Sequence, residues 1–247
     1  MERNITRARV EVKYLIPQGL VETVLARLPS LETRVYGVTT VYFDRLDRAL
    51  SAGALKSPAH CTKIRLREYL DGSPNLWIEI KTRSGSWTRK ARFRIGREAL
   101  GPLLRGGDLR DVPALACGPC DREAAEAFRR LREVAGGRLV ALGAVSTARH
   151  AYRVTDLPFR MTLDRNVTYH RVSERLLQPG ATLSPATLGA PLRRETAAIL
   201  EIKHGGAVPE WLPDVLAGLA PTDYSKFRTL VRALDESCKV AGHVDRL

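Results

Sequence analysis

The sequence predicts an α+β fold in which an antiparallel sheet closes into a β-barrel and helices pack outside it. Three observations lead there: short runs in which apolar and charged residues alternate, turn-forming residues between them, and basic side chains gathered on one side of run after run. Pattern reading counts about eight or nine strands and four or five helices, with no repeat or low-complexity linker between them, so residues 1–247 read as one domain.

Thr6–Ile16 alternates, with Arg9, Glu11 and Lys13 on one side and Val10, Val12 and Tyr14 on the other, which is a strand. Pro17 suits the first turn of a helix over Gln18–Leu28 that Pro29 and Ser30 close. Val38–Asp44 is a second β-rich run, followed by a loop through Ser51–Pro58. Thr62–Leu70, Leu76–Thr82 and Ser86–Ile95 form a meander, separated by Asp71-Gly72-Ser73-Pro74 and by Ser84-Gly85. A helix near Arg97–Leu104 and a Gly/Pro-containing loop come next. Asp121 then caps a helix over Arg122–Ala135 that Gly136-Gly137 ends. Leu139–Tyr152, Phe159–Asp164, Val167–Val172 and Ala198–Lys203 supply further strands, and Pro209–Leu219 and Tyr224–Lys239 two helices.

The charge balance is unusual. Forty Lys+Arg against 27 Asp+Glu give a formal +13 over 247 residues, which calls for an anionic partner. Nucleic acid, an anionic membrane and polyphosphate would all satisfy it, so the placement of the cations has to choose. No recognition-helix, zinc-finger or aromatic RNA motif accompanies the charge, which argues against nucleic acid. There is no apolar run of about 18 residues and no leader-like start, so no membrane span is expected and the cytoplasm is the expected location. Of the four cysteines, Cys117 and Cys120 form a Cys-x-x-Cys without a second pair or nearby His, and read as reduced thiols in a loop. Arg129, Arg130 and Arg132 read as a solvated helix face opposite Ala125, Phe128 and Leu131.

Placement along the strands is informative. Lys63, Arg65 and Arg67 share one side of their strand, Glu79 and Lys81 of the next, and Lys90, Arg92 and Arg94 of the third. Arg160 stands with Thr162 and Asp164, and Glu201 with Lys203, while Ile64, Leu66, Ile78, Ile80, Met161 and Leu163 occupy the opposite sides. Helices covering the apolar sides would leave the cations inside a barrel, an inversion of the usual arrangement. Like charges in a dry interior repel, and each unpaired ion carries a penalty of several kcal/mol, so such a lumen needs water and a multivalent anion. Ten cations are candidate liners, Lys13, Arg65, Arg67, Lys81, Lys90, Arg92, Arg149, Arg160, Lys203 and Lys226, against the carboxylates Glu11, Glu79 and Glu201. Arg offers a planar fork to phosphate oxygens and Lys a compact point charge. The carboxylates suit a hard divalent ion, Mg2+ or Mn2+, with Glu201 the first candidate ligand and Glu79 and Glu11 the next. For each, an internal salt bridge is the competing reading.

The ordered motifs Glu11-x-Lys13-Tyr14, Val41-Tyr42-Phe43-Asp44, Lys63-x-Arg65-x-Arg67, Glu79-x-Lys81, Lys90-x-Arg92, Arg149-x-x-Tyr152, Arg160-x-x-x-Asp164, Glu201-x-Lys203 and Ser225-Lys226-Phe227 carry a resemblance. The chain resembles the VTC domain, the polyphosphate polymerase branch of the triphosphate tunnel metalloenzymes, in the CYTH-like superfamily. The resemblance runs from about residue 5 to 235. It implies an eight-stranded antiparallel tunnel barrel with helices outside. It also implies transfer of the ATP γ-phosphate to a phosphate or polyphosphate end, with Mn2+ or Mg2+ assisting. Carried over position by position, Lys13, Arg65, Arg67, Lys81, Lys90, Arg92, Arg149, Arg160 and Lys226 form the implied phosphate-binding set and Glu201 the implied metal ligand. Two positions depart from the superfamily. Its hydrolase and cyclase branches open with Glu-x-Glu-x-Lys where this chain has Arg9-x-Glu11-x-Lys13, and the Tyr two residues before Arg149 is Thr147. The first departure removes a carboxylate and favours a polymerase over a tripolyphosphatase or nucleoside triphosphatase. A non-catalytic polyphosphate sensor is the remaining alternative. The sensory and membrane-spanning domains of the eukaryotic polymerase complex are not expected, which leaves room for a separate membrane or kinase-like partner.

Overall fold

The computed structural model describes residues 10–244 except 74, 86, 110–121, 156 and 179. Their elements run β1 (Val10–Pro17), α1 (Val21–Leu25), β2 (Glu32–Asp44), α2 (Ala49–Lys56), β3 (His60–Leu70), β4 (Leu76–Ser84), β5 (Trp87–Ile95), α3 (Leu100–Leu104) and α4 (Arg122–Ala135). Then follow β6 (Val140–Arg153), β7 (Phe159–His170), α5 (Pro185–Leu188), β8 (Arg193–Arg194), β9 (Ala197–His204), α6 (Leu212–Leu216), β10 (Pro221–Thr222) and α7 (Lys226–Val244). The α+β class is as expected, but the closed eight-stranded barrel is not what forms. Ten strands pair in the open order β10-β1-β9-β7-β6-β2-β3-β4-β5, with β8 on β7, and among the described residues no pairing joins the two ends. Alternation assigns residues to two faces but is silent on closure. The terminal strand β5 carries Arg89, Lys90, Arg92 and Arg94, the kind of charge that lets an edge stay unpaired.

The chain divides into two compact units. Unit 1 comprises Met1–Gly37, Thr147–Val167 and Arg194–Tyr224. Its apolar core is the shared face of β1, β9 and β7, where Ile16, Ala198, Leu200, Ile202, Met161 and Leu163 meet Val21 and Val24 of α1 and Leu212 and Val215 of α6. Trp211 sets its ring edge against Phe159 with centroids 5.9 Å apart.

Unit 2 comprises Val38–Ser146, Thr168–Arg193 and Ser225–Leu247. Ile64 and Leu66 of β3, Leu76, Ile78 and Ile80 of β4, and Phe93 and Ile95 of β5 form one apolar face. Residues Ala124, Ala127 and Leu131 of α4 cover that face at helical spacing, and Phe128 meets Phe93 edge-on at 5.7 Å. In α7, Phe227, Leu230, Val231 and Leu234 are buried at the i, i+3, i+4, i+7 positions of one stripe. Gly143 permits close approach of β6 to β7, since a Cβ there would lie 2.6 Å from the His170 carbonyl oxygen.

Several boundaries differ from the sequence reading. Residues 51–56, expected in a loop, belong to α2, whose first-turn N–H groups of Leu50 and Ser51 donate to the buried Asp44 carboxylate at 2.9 Å each. A cap supplied from five residues upstream leaves no local N-cap signature. The two strands expected over Phe159–Asp164 and Val167–Val172 are one, β7, which passes through a left-handed Asn166 at φ 53°. Asn tolerates that conformation, so the turn-like residue does not break the strand. The helices expected over Gln18–Leu28 and Pro209–Leu219 shorten to α1 and α6. Residues 6–9 of the first expected strand, the capping Asp121, and Cys117 and Cys120 lie outside the described residues. Among the described residues no helix is long and apolar enough to cross a membrane.

Candidate functional site

The polar face of β3, β4 and β5 in unit 2 is a three-by-three register of side chains. Lys63, Lys81 and Lys90 lie opposite one another across the three strands, then Arg65, Glu79 and Arg92, then Arg67, Trp77 and Arg94. Alternation explains the common face, and the two tight connections fix the register, with Gly72 supplying φ 85° in the first. Seven of the nine positions are cationic. Side chains directly opposite in adjacent strands have Cβ atoms about 5 Å apart, so the three lysines disfavour one another and an anion over the row would relieve that repulsion.

Glu79 sits at the centre with no solvent exposure. Arg65 donates to its Oε2 from Nε at 2.8 Å and from Nη2 at 2.6 Å, Lys90 Nζ lies 2.5 Å from Oε1, and Arg67 Nη1 lies 3.7 Å from Oε2. Burial raises the pKa of this carboxyl, but Arg65, Arg67 and Lys90 outweigh burial and hold it well below the usual range. Burial lowers the Lys90 ammonium, and Arg65 and Arg67 add to that against the pull of Glu79. Glu79, expected as a secondary metal ligand, is therefore engaged by three cations: it fixes their positions, and the internal salt bridge is the reading its contacts favour.

Neighbouring elements hold the rim. Lys63 donates to Ser225 Oγ at 2.9 Å and lies 5.7 Å from the Phe227 ring centre, and that ring packs on Tyr42 at 5.0 Å. Arg67 Nε donates to Thr40 Oγ1 at 3.3 Å and Nη1 to the Tyr69 hydroxyl at 3.5 Å. Burial raises the Tyr42 phenol, yet Arg65, Arg67, Lys63 and Lys226 together bring it below its ordinary value. Four cations thus act on one buried phenol. Tyr42 and Thr40 are site residues that the strand reading passed over, although Tyr42 lies within a quoted motif.

Unit 1 carries a second polar cluster, opposite its own core. Across β1, β9 and β7 the register sets Lys13 against Glu201 and Glu201 against Thr162, then Glu11 against Lys203 and Lys203 against Arg160. Lys203 pairs with Glu201 and lies 3.8 Å from Glu11 Oε2, and Lys13 Nζ lies 3.4 Å from Glu11 Oε1 and donates to the Tyr224 carbonyl at 3.2 Å. Arg160 is exposed. The expected phosphate ligand Arg149 spends one edge of its fork on the fully buried Asp164, with Nε to Oδ1 at 2.6 Å and Nη2 to Oδ2 at 2.7 Å. Sequence reading placed both residues without pairing them. Thr147 donates to the Arg165 carbonyl at 3.0 Å, a backbone contact in place of the family's Tyr. Arg9 lies outside the described residues.

Glu11 and Glu201 fit the first shell of a divalent ion in one respect: both carboxylates already share one cationic group, the Lys203 ammonium. Among the described residues no three His, Cys, Asp or Glu gather as a metal cage. Mg2+ and Mn2+ bound with phosphate need only one or two protein carboxylates, the rest of the shell being water and phosphate oxygen. The arginines of α4 take other roles. Arg129 pairs with Glu126 and Glu133 of its own helix, and Arg130 donates to Thr82 Oγ1 at 3.1 Å.

The VTC domain family model matches residues 8–234. Two solved structures resemble the chain at low identity. One is a candidate adenylyl cyclase from Hippeastrum described as having a dominant triphosphatase activity, at 16% identity, TM-score 0.54, covering 91% of this chain and 95% of that one. The other is a candidate adenylate cyclase from Bacillus halodurans, at 15% identity, TM-score 0.55, covering 90% and 96%. Likeness at this level shows a shared fold. No curated protein matches the chain.

Proposed function

The chain belongs to the VTC domain family, and from that premise we propose that it is an ATP-dependent polyphosphate polymerase acting in the cytoplasm. One observation carries the reading: seven cations in three-strand register around a single buried carboxylate, an excess of positive charge that a phosphate chain would neutralise. Lys63, Lys81 and Lys90 provide point charge, and Arg65, Arg67 and Arg92 provide forks for phosphate oxygens. Lys13, Arg149, Arg160, Lys203 and Lys226 complete the proposed set. In the reaction the bond between the γ-phosphorus and the oxygen bridging to ADP breaks, ADP leaves with the electron pair, and a terminal oxygen of the acceptor phosphate bonds to the transferred phosphorus. Charge spreads over the peripheral oxygens in that transition state. The guanidinium and ammonium groups stabilise it because Glu79 fixes Arg65, Arg67 and Lys90 before substrate arrives, and loss of one preorganised donor costs about 100- to 1000-fold in rate. Glu11 and Glu201, which share the Lys203 ammonium, would hold a Mg2+ or Mn2+ ion, and that ion would supply positive charge to phosphate when bound.

A tripolyphosphatase or nucleoside triphosphatase is the second reading. It is favoured by the paired carboxylates Glu11 and Glu201 and by the activity named for the Hippeastrum protein. Incubation of the purified chain with ATP and Mn2+, followed by chain-length analysis, separates the two. Long polymer with ADP supports the polymerase, orthophosphate with ADP and no polymer supports the hydrolase, and binding without turnover supports a sensor.

A further inference from the structure

The cationic face of unit 2 changes character along its strands. The row at one end holds three lysines and the row four residues on, about 13 Å away, holds Arg67, Trp77 and Arg94. Trp77 is the one aromatic residue of the nine, and it lies on the polar side of β4, away from the apolar face that holds Leu76 and Ile78. It is only partly buried. The Arg92 guanidinium lies 4.4 Å from its ring centre and that of Arg94 6.0 Å. Arg94 Nη1 also donates to the Asn75 side-chain carbonyl at 3.4 Å, and Tyr69 adds a second ring beside Arg67 at 5.9 Å.

A bare phosphate chain has no use for an indole, because it offers no flat surface and no apolar area. A planar, electron-rich heterocycle does. Indole and guanidinium planes stack readily on a base, and a neighbouring amide supplies hydrogen bonds to a base edge. From this placement we infer that Trp77, with Arg92 and Arg94 around it, is the subsite for the nucleobase of the phosphate donor, next to rows that take its phosphates. The inference rests on the phosphate-chain reading of the same face and adds what distinguishes a nucleotide from inorganic polyphosphate there. Trp77 is then a specificity-determining residue, separate from the groups that meet the transferred phosphate.

Calorimetric titration of the full chain with ATP and, separately, with tripolyphosphate tests it. In Trp77→Leu the affinity for ATP falls about tenfold while that for tripolyphosphate holds, and Trp77→Phe, which keeps a ring, retains most of the ATP affinity. ATP, but not tripolyphosphate, quenches tryptophan fluorescence in the parent protein, and Trp77→Phe abolishes the quench although Trp87 and Trp211 remain. The fluorescence readout decides the matter even if Trp77→Leu does not fold. Equal weakening of both ligands, or ATP binding and quenching unchanged in both variants, overturns the subsite while leaving the phosphate reading intact. A parent protein that binds neither ligand overturns the phosphate reading and this subsite with it.

Discussion

Replacing Glu79 by Gln removes the only negative charge from the centre of a nine-residue face and leaves Arg65, Arg67 and Lys90 without their common partner. Removing one member of a buried ion pair costs about 3–5 kcal/mol. The lower end applies here: the Lys90 side chain is 40% exposed, Arg67 stands at 3.7 Å, and only the contact with Arg65 is both short and shielded. A loss of roughly 3 kcal/mol lowers the melting temperature of a chain this size by about 6–12 °C. Two further signs follow. The variant has one more net positive charge on the face, so the salt dependence of its tripolyphosphate-induced stabilisation is steeper than the parent's. The Glu79 pKa is depressed in the folded state, so its stabilisation is fully present above the unfolded value of about 4.5 and is lost as pH falls below it. The variant should lack that component of acid sensitivity. Thermal denaturation at low and high salt, with and without tripolyphosphate and across the acid range, measures all three. An unchanged melting temperature, or an acid sensitivity equal to the parent's, would refute the view of Glu79 as the strut of this cationic face.

Glu201→Gln abolishes metal-dependent turnover while sparing much of the affinity for polyphosphate, as read by parallel turnover and binding assays; unchanged turnover counts against Glu201 as a metal ligand. Arg65→Ala lowers kcat/KM for ATP by about 100-fold or more, since Arg65 belongs to the preorganised set. Two phenols, Tyr42 and Tyr69, titrate below the ordinary tyrosine value, and Tyr42→Phe removes one of those transitions from an ultraviolet pH titration. Tripolyphosphate neutralises the cations around Tyr42 and should move that transition upward. Affinity for polyphosphate falls steeply with salt, and Lys81→Gln makes the dependence shallower, because it removes one of the three lysines of that row.

The cationic face was legible in the sequence because a strand repeats every two residues. Lys63-x-Arg65-x-Arg67, Glu79-x-Lys81 and Lys90-x-Arg92 declare their shared sides, and the intervening turns leave little freedom of register. The same pattern marked Met161 and Leu163 of β7, which lie in the core of unit 1. What a period cannot carry is pairing between distant segments. The Arg149–Asp164 fork, the Lys203 ammonium shared by Glu11 and Glu201, and the cap that Asp44 gives α2 all depend on partners 15 or 192 or six positions apart, which no local window shows. Strands of two residues such as β8 and β10 are too short to have a period at all. Barrel closure failed for a related reason: it is a property of the two end strands, whereas alternation is a property of each strand alone.

The most direct test of the central claim is a crystal structure of the full chain grown with tripolyphosphate. Phosphate oxygens within hydrogen-bonding distance of Arg65, Lys81, Lys90 and Arg92, with the Glu79 contacts intact, are the expected result. Tripolyphosphate bound elsewhere, for instance along the α4 arginines, with the three-strand face covered only by solvent, would contradict it.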